Sequence, residues 1–355
     1  MIHFSLVRWS IRSICVILWC GIFFLFLYIP SLRLLFFQKP SINILAWPDV
    51  FNASYLADFE KETGIQVHVN FFEFNEELLV KLRTNPHHGY DLIMPSDHMA
   101  QLLIKEKLVK KIDTAQLTFF NDIYQELLFH YYDPNNEYTI PYFWGIYGLG
   151  VVGSYFSRLP RSSWSLIFDK NIVPSCVCMI NDAREAILIA AQYLFGRIDG
   201  LADDEYELIK QLLLEQKKWV LLYSDLQVEY VLGSEICPVI VTSSADIAKI
   251  IRWKSDIHFM IPKEGSFILI DSFAIPATST KDAYVYQFLN YLYQPTVFQR
   301  YVDRFGFFSP LKSVSTPHFD ETVTVPTENL FKEFSFFRAD IPEKKLHELW
   351  IALKA

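Results

Sequence analysis

Three acids sit where an apolar run gives way to a loop or helix. Asp182 and Glu185 follow the run Val177–Ile180, and Asp271 interrupts the run between Phe267 and Ile275. Similar handover points carry Trp47 and Asp49, then Ser96, Asp97 and His98, then Ser243 and Ser244. These loops contain no lysine or arginine except Arg184. Carboxylates with so few cations of their own suit a small cationic guest. An ammonium gains roughly 1.5–3 kcal/mol from each charge-assisted hydrogen bond. An aromatic face beside it adds about 0.5–2 kcal/mol. Spacing alone leaves other roles open. Asp-x-x-Glu at a helix start also makes half of a capping box, and an acid inside a strand also marks an ion pair or a bulge.

The elements that must hold these residues alternate. Ile42–Ala46 reads as a buried strand, and Ala53–Thr63 as a helix stopped by Gly64. Gln66–Phe72 alternates as a strand, Asn75–Leu82 reads as a helix, and Asp91–Met94 as a short strand. Ser96 is placed to cap a helix over Asp97–Glu106. In the second half, a strand over Val177–Ile180 leads into a helix over Ala186–Phe195, followed by a helix over Asp203–Lys218. Val239–Thr242 reads as a strand, with Ser244 capping Ala245–Trp253. Phe267–Ile270 and Ser272–Ile275 flank Asp271, and helices are expected over Asp282–Leu292 and Glu343–Leu353. This alternation predicts an α/β fold with a mostly parallel sheet covered on both sides. Ligands in such sheets bind beyond the carboxyl ends of strands, where the acids above collect.

Composition sets the class. The chain has 355 residues, 52% of them hydrophobic and 20% charged, which excludes a disordered chain and leaves two domains as the default. One long apolar run, near Ile14–Ile29, excludes a polytopic membrane protein. Residues 1–41 hold Arg8, Arg12, Arg33 and Lys39 and no acid; taking those four from the 32 basic residues leaves 28 against 40 acidic. A body that acidic repels nucleic acid. A basic flank before the apolar run is the layout of an export signal. No small-x-small cleavage site follows it, so residues 1–40 are expected to be an export signal that stays as an inner-membrane anchor, with clean cleavage as the alternative. Beyond it lie Cys176, Cys178 and Cys237. Their spacing offers no metal site, and buried, inert thiols are expected, with a bridge from Cys237 to one of the pair as the alternative.

Several strings recur in order: Ala46-Trp47-Pro48-Asp49, Gly89-Tyr90-Asp91-Leu92-Ile93-Met94-Pro95-Ser96, Asp133-Pro134-Asn135-Asn136, Ile140-Pro141-Tyr142-Phe143-Trp144-Gly145, Asp182-Ala183-Arg184-Glu185 and Pro262-Lys263-Glu264-Gly265 with Asp271-Ser272. Together, from about Ser41 onward, the chain resembles the spermidine/putrescine-binding proteins that feed bacterial ABC transporters. The resemblance implies a type II periplasmic-binding-protein fold, two lobes enclosing a ligand cleft. Residues 42–145 plus 270–315 would form lobe one, and 150–264 plus 318–355 lobe two. Hinges are implied near 146–149, 265–269 and 314–317, with closure by hinge bending. The implied partners are a polyamine and ABC permease subunits in the periplasm, for a monomer without cofactor.

The resemblance also assigns roles. Asp182, Glu185 and Asp271 match acidic ligand positions, Trp47 a stacking face, and Asp49 an acid that meets a terminal ammonium. Ser96 and Ser224 match polar ligand positions. The chain departs from the pattern as well. Tryptophan positions are Val241 and Leu269, tyrosine positions are Val50, His98 and Phe307, and a glutamine position is Ile351. Cation–π and hydroxyl contacts are lost there while apolar contact with methylenes is kept, so a wider, greasier site with altered preference follows. A cleft-lining His98 would oppose a cationic guest once protonated below about pH 6.5. Two other classes compete. Asp182 and Asp271 could form a hydrolase-like acid pair, but no nucleophile, phosphate loop, GxSxG or HExxH motif accompanies them. A repurposed receptor, or one for another small amino compound, is the second alternative.

Overall fold

The computed structural model describes residues 14–24, 39–48, 50–84, 89–172, 175–224, 228–315, 330–338 and 341–354. Residues 14–24 form an exposed helix, and among the described residues no helix is long and apolar enough to cross a membrane. Most of the expected anchor lies outside the described residues.

Among the described residues, ten strands form one mixed sheet. In chain order they are β1 (Ser41–Ala46), β2 (Gln66–Phe71), β3 (Leu92–Ile93), β4 (Val109–Lys110), β5 (Thr139–Val152), β6 (Val177–Met179), β7 (Val220–Tyr223), β8 (Val239–Ser243), β9 (Ile257–Met260) and β10 (Ile268–Pro276). The path runs β2-β1-β3-β10-β5-β8-β6-β7, with β4 beside β10 and β9 beside β5. β1 pairs in parallel with β2 and β3, as β6 does with β7 and β8. Each half is therefore the parallel α/β unit that the alternation of runs predicts. The halves are joined by an antiparallel pair, β5 and β10, which the expectation of a mostly parallel sheet did not include.

The directions of these strands locate the site. β10 runs antiparallel to both β3 and β5, so β5 points the same way as β1 to β3. β8 runs antiparallel to β5, so β6 to β8 point the opposite way. The carboxyl ends of the two halves consequently face each other across the middle of the β5–β10 pair. β5 pairs with β10 up to Ile146 and with β8 from Tyr147, so a single strand belongs to both halves. Gly148 allows this crowding, since a Cβ there would lie 2.6 Å from the Met260 carbonyl oxygen.

The core divides accordingly. One apolar cluster gathers Ile42, Phe59, Tyr142, Phe273 and Phe298, and another gathers Leu149, Trp164, Ile187, Val239 and Leu349. A third lies under the crossing strands and includes Trp144, Ile146, Ile268 and Ile270. Burial of so much apolar surface, at about 25 cal/mol per Å², holds each half without metal.

Local outcomes follow the capping chemistry. Asn52 accepts from Ser54 N at the start of Ala53–Thr63, and Gly64 closes that helix at φ 76°. Ser243, not Ser244, caps the helix Ser244–Ile250; the Ser244 hydroxyl instead accepts the Ile146 N–H at 3.2 Å. The expected pair of runs around Asp271 is one strand whose register shifts between Asp271 and Ser272. The cysteine expectation is corrected. Cys176 and Cys237 are joined by a disulfide with Cα atoms 5.6 Å apart, and Cys178 is the buried free thiol. Cys176 precedes β6 and Cys237 precedes β8, and the pairing of those strands brings the two together.

Candidate ligand-binding site

Alternation along the crossing strands sorts their side chains into two faces. On β10, Ile268 and Ile270 are buried while Leu269 and Asp271 keep some exposure. On β5, Trp144 and Ile146 are buried while Phe143 and Tyr147 are half-buried. Register puts Asp271 opposite Phe143, Leu269 opposite Gly145, and Tyr147 opposite Ser243. The open face is thus a strip floored by Phe143, Gly145, Tyr147 and Leu269, with one acid at its lobe-one end. From the Asp271 pairing to the Ser243 pairing is four residues of β5, about 13 Å at roughly 3.3 Å per residue.

At the Asp271 end, β1 delivers Trp47 and β3 delivers Ser96, Asp97 and His98. Trp47 is half-buried and packs on Phe72 with ring centroids 4.3 Å apart. Its Nε1 is buried and closes no hydrogen bond, although it stands near enough to Asp271 to favour that carboxylate's charged form. Ser96 occupies the N-cap position of Asp97–Lys105 without capping; its hydroxyl lies 3.2 Å from His98 Nδ1. His98 Nδ1 is also 3.6 Å from Asp97 Oδ1. Asp271 has its pKa pushed well above the usual carboxylate range, first by desolvation and then by the Asp97 charge, with the Trp47 indole opposing. Among the described residues no base forms an ion pair with it.

At the opposite end, Asp182 and Glu185 are half-buried. Asp182 caps the helix Ala183–Phe195 and accepts the Glu185 N–H at 2.9 Å. Ser224 follows β7 and donates its N–H to the Met179 carbonyl at 2.9 Å, which sets it beside the end of β6. Asp49 lies outside the described residues.

The remaining positions separate. Leu269 lies on the strip. Val241 shares its face but pairs with Leu149 deeper in the lobe-two core and is 2% exposed. Phe307 is buried and stacks on Phe143 at 5.0 Å. Val50 is buried and Ile351 is exposed on the C-terminal helix. The sequence reading did not select Phe143, Tyr147 or Tyr131. Tyr131 donates to Asp97 Oδ2 at 3.0 Å. Partial exposure on one face of a buried strand is the signal for Phe143 and Tyr147, and it shows only once β5 is known to be a strand.

Two α/β halves whose strand ends converge on acids and an apolar strip define a ligand receptor of the two-lobed binding-protein class. The family model described as bacterial extracellular solute-binding protein matches residues 54–327, and the chain belongs to that family. It is 31% identical over 270 residues, 74% of this chain and 76% of the relative, to the spermidine/putrescine-binding periplasmic protein of Escherichia coli K12. It is 27% identical over 340 residues, 88% of this chain and 92% of the relative, to the putrescine-binding periplasmic protein SpuD of Pseudomonas aeruginosa. Among solved structures, the substrate-binding protein PotD of a Streptococcus pneumoniae spermidine/putrescine ABC transporter superposes with a TM-score of 0.75 at 21% identity, covering 89% of this chain and 99% of that one. The TpPotD lipoprotein of Treponema pallidum gives 0.76 at 21%, covering 88% and 99%.

Proposed function

We propose that this chain captures a polyamine of the putrescine or spermidine type between its lobes, in the periplasm, and delivers it to an ABC permease. Asp271 carries the reading. It is a strongly desolvated carboxylate with no basic partner among the described residues, beside an indole and above an apolar strip. A buried charge without a partner is costly, and an ammonium supplies the partner. Asp182 and Glu185 would take the other end of the guest, with Phe143, Leu269 and Tyr147 along the methylenes. Ser96, His98 and Ser224 would border the ends, and Asp49 would be a further acid for a terminal ammonium.

Closure would bend the chain near 146–149, where β5 changes partners, and near 265–269, just before and into β10. Lobe one would then comprise 42–145 and 270–315, and lobe two 150–264 and 318–355. Calorimetry with putrescine, cadaverine and spermidine tests the reading. Micromolar binding that Asp271→Asn weakens at least about tenfold supports it, and no heat with any of the three refutes it. A different small amino compound is favoured by one observation, Leu269 standing opposite Gly145 where a broad aromatic would narrow the strip. Tighter binding of a bulkier amine than of putrescine would establish that alternative.

A further inference from the structure

Asp97 begins a helix, an ordinary place for an acid. Its surroundings are not ordinary. It is 5% exposed, its Oδ2 accepts Tyr131 O–H at 3.0 Å and its Oδ1 accepts the His98 N–H at 2.8 Å. Counting from the Ile93–Ala274 pairing along two antiparallel strands brings Ser96 level with Asp271 and places Asp97 next to it. A Ser272 N–H bond to the Pro95 carbonyl at 3.3 Å ties this corner together. Two buried donors lie beside the acids: Trp47 Nε1, near enough to Asp271 to favour its charged form, and the hydroxyl of Ser272, a residue with no exposure at all, which stands beside the Tyr132 hydroxyl.

Among the described residues no lysine or arginine forms an ion pair with either acid. His98, from the same helix, holds its Nδ1 3.6 Å from Asp97 Oδ1. His130, Tyr131, Tyr132 and Asp133 come from the segment before β5, and Asp133 is occupied by the N–H groups of Glu137, Tyr138 and Thr139. His130 has its pKa lowered, chiefly by burial, and Tyr131 and Tyr132 have theirs raised by burial. Arg338, from the C-terminal segment, lies over the Tyr131 ring at 5.1 Å and forms no ion pair with either acid among the described residues. Two like charges in one desolvated corner do not both stay ionised.

We propose that Asp97 is a positioning residue for Asp271, and that through it the empty site holds a proton which the ligand's ammonium displaces on entry. The exchange balances. The Asp271 O–H bond breaks, the proton leaves to solvent, and the carboxylate left behind accepts an N–H from the ammonium, whose own protons stay in place. Capture then weakens about tenfold per pH unit, as pH falls, wherever the empty site is fully protonated. The proposal rests on the polyamine reading.

Titration calorimetry of the full chain with putrescine, near about pH 6.5 and in two buffers of different ionisation enthalpy, counts protons released per ligand. Wild type is expected to release a measurable fraction of a proton, and Asp97→Asn less than about half as much. Equal release by the two, or none from a wild type that binds, overturns the proposal alone. A wild type that binds no polyamine overturns the functional reading and this one with it. Infrared spectroscopy of the wild type makes the test independent of whether the variant folds. A protonated carboxyl band that disappears when putrescine is added supports the exchange, and an unchanged spectrum on a bound sample refutes it.

Discussion

The two acid-bearing regions, the start of the Ala183–Phe195 helix and the bulge at Asp271, differ in what holds the charge when no guest is present. Asp182 has a helix to serve, since its carboxylate accepts a backbone N–H at 2.9 Å and faces the positive end of a helix dipole. Among the described residues Asp271 accepts no backbone N–H; burial and Asp97 oppose its charge, and the Trp47 indole offsets them only in part. One acid supports the fold and is available to a ligand besides. The other is under-compensated until a cation arrives. Deleting the side-chain oxygens should therefore cost affinity and stability together at the first site, while removing the charge at the second should cost affinity and spare or raise stability.

The largest effect should come from the half that carries Asp182. Cys176→Ser removes a bridge between the starts of β6 and β8 and should cost about 2–5 kcal/mol in denaturant unfolding. If putrescine affinity is kept in the folded fraction, the lobe-two acids depend on their helix and not on the bridge. Next, Asp271→Asn should weaken putrescine binding by about ten- to hundredfold in calorimetry while leaving the empty protein as stable as wild type or more so. A loss of both would erase the contrast.

Smaller still, Asp182→Ala should cost about 0.5–2 kcal/mol of stability, whereas Asp182→Asn keeps the cap and loses only affinity. Equal melting of the two variants would show that the cap contributes nothing. The smallest effect concerns pH. Folding raises the Asp271 pKa, so the folded chain holds a proton that the unfolded chain releases. That advantage is complete below the ordinary aspartate value near about 4 and is lost as pH climbs through the raised one. Melting temperatures of empty Asp271→Asn should gain on wild type as pH rises from about 5 to about 8, and parallel curves would contradict this.

Much of this was legible from residue patterns. Asn52 and Gly64 bound their helix through short-range chemistry, and Asp182 announced a helix start whatever else it does. The acids were legible because strand ends collect ligands. β5 was not, because Pro141, Gly145, Gly148 and Gly150 break both periodicities and most of its side chains are buried on both faces, which leaves little alternation to read. Its half-exposed residues were hidden with it. Asp97 was visible but looked like an ordinary first-turn acid. Tyr131 and the Asp271 bulge join it only through contacts between distant segments. The Cys176–Cys237 bridge was obscured in the same way, since strand order and not spacing brings the sulfurs together.

A strand shared by both halves makes its own length a fixed dimension of the molecule. Inserting one residue between Gly145 and Gly148 would turn every later side chain of β5 to the opposite side of the sheet. Leu149 and Val151 would leave the apolar cluster they now fill. Loops elsewhere in the chain are free to lengthen over generations, but this stretch can change its chemistry only by substitution, never by count.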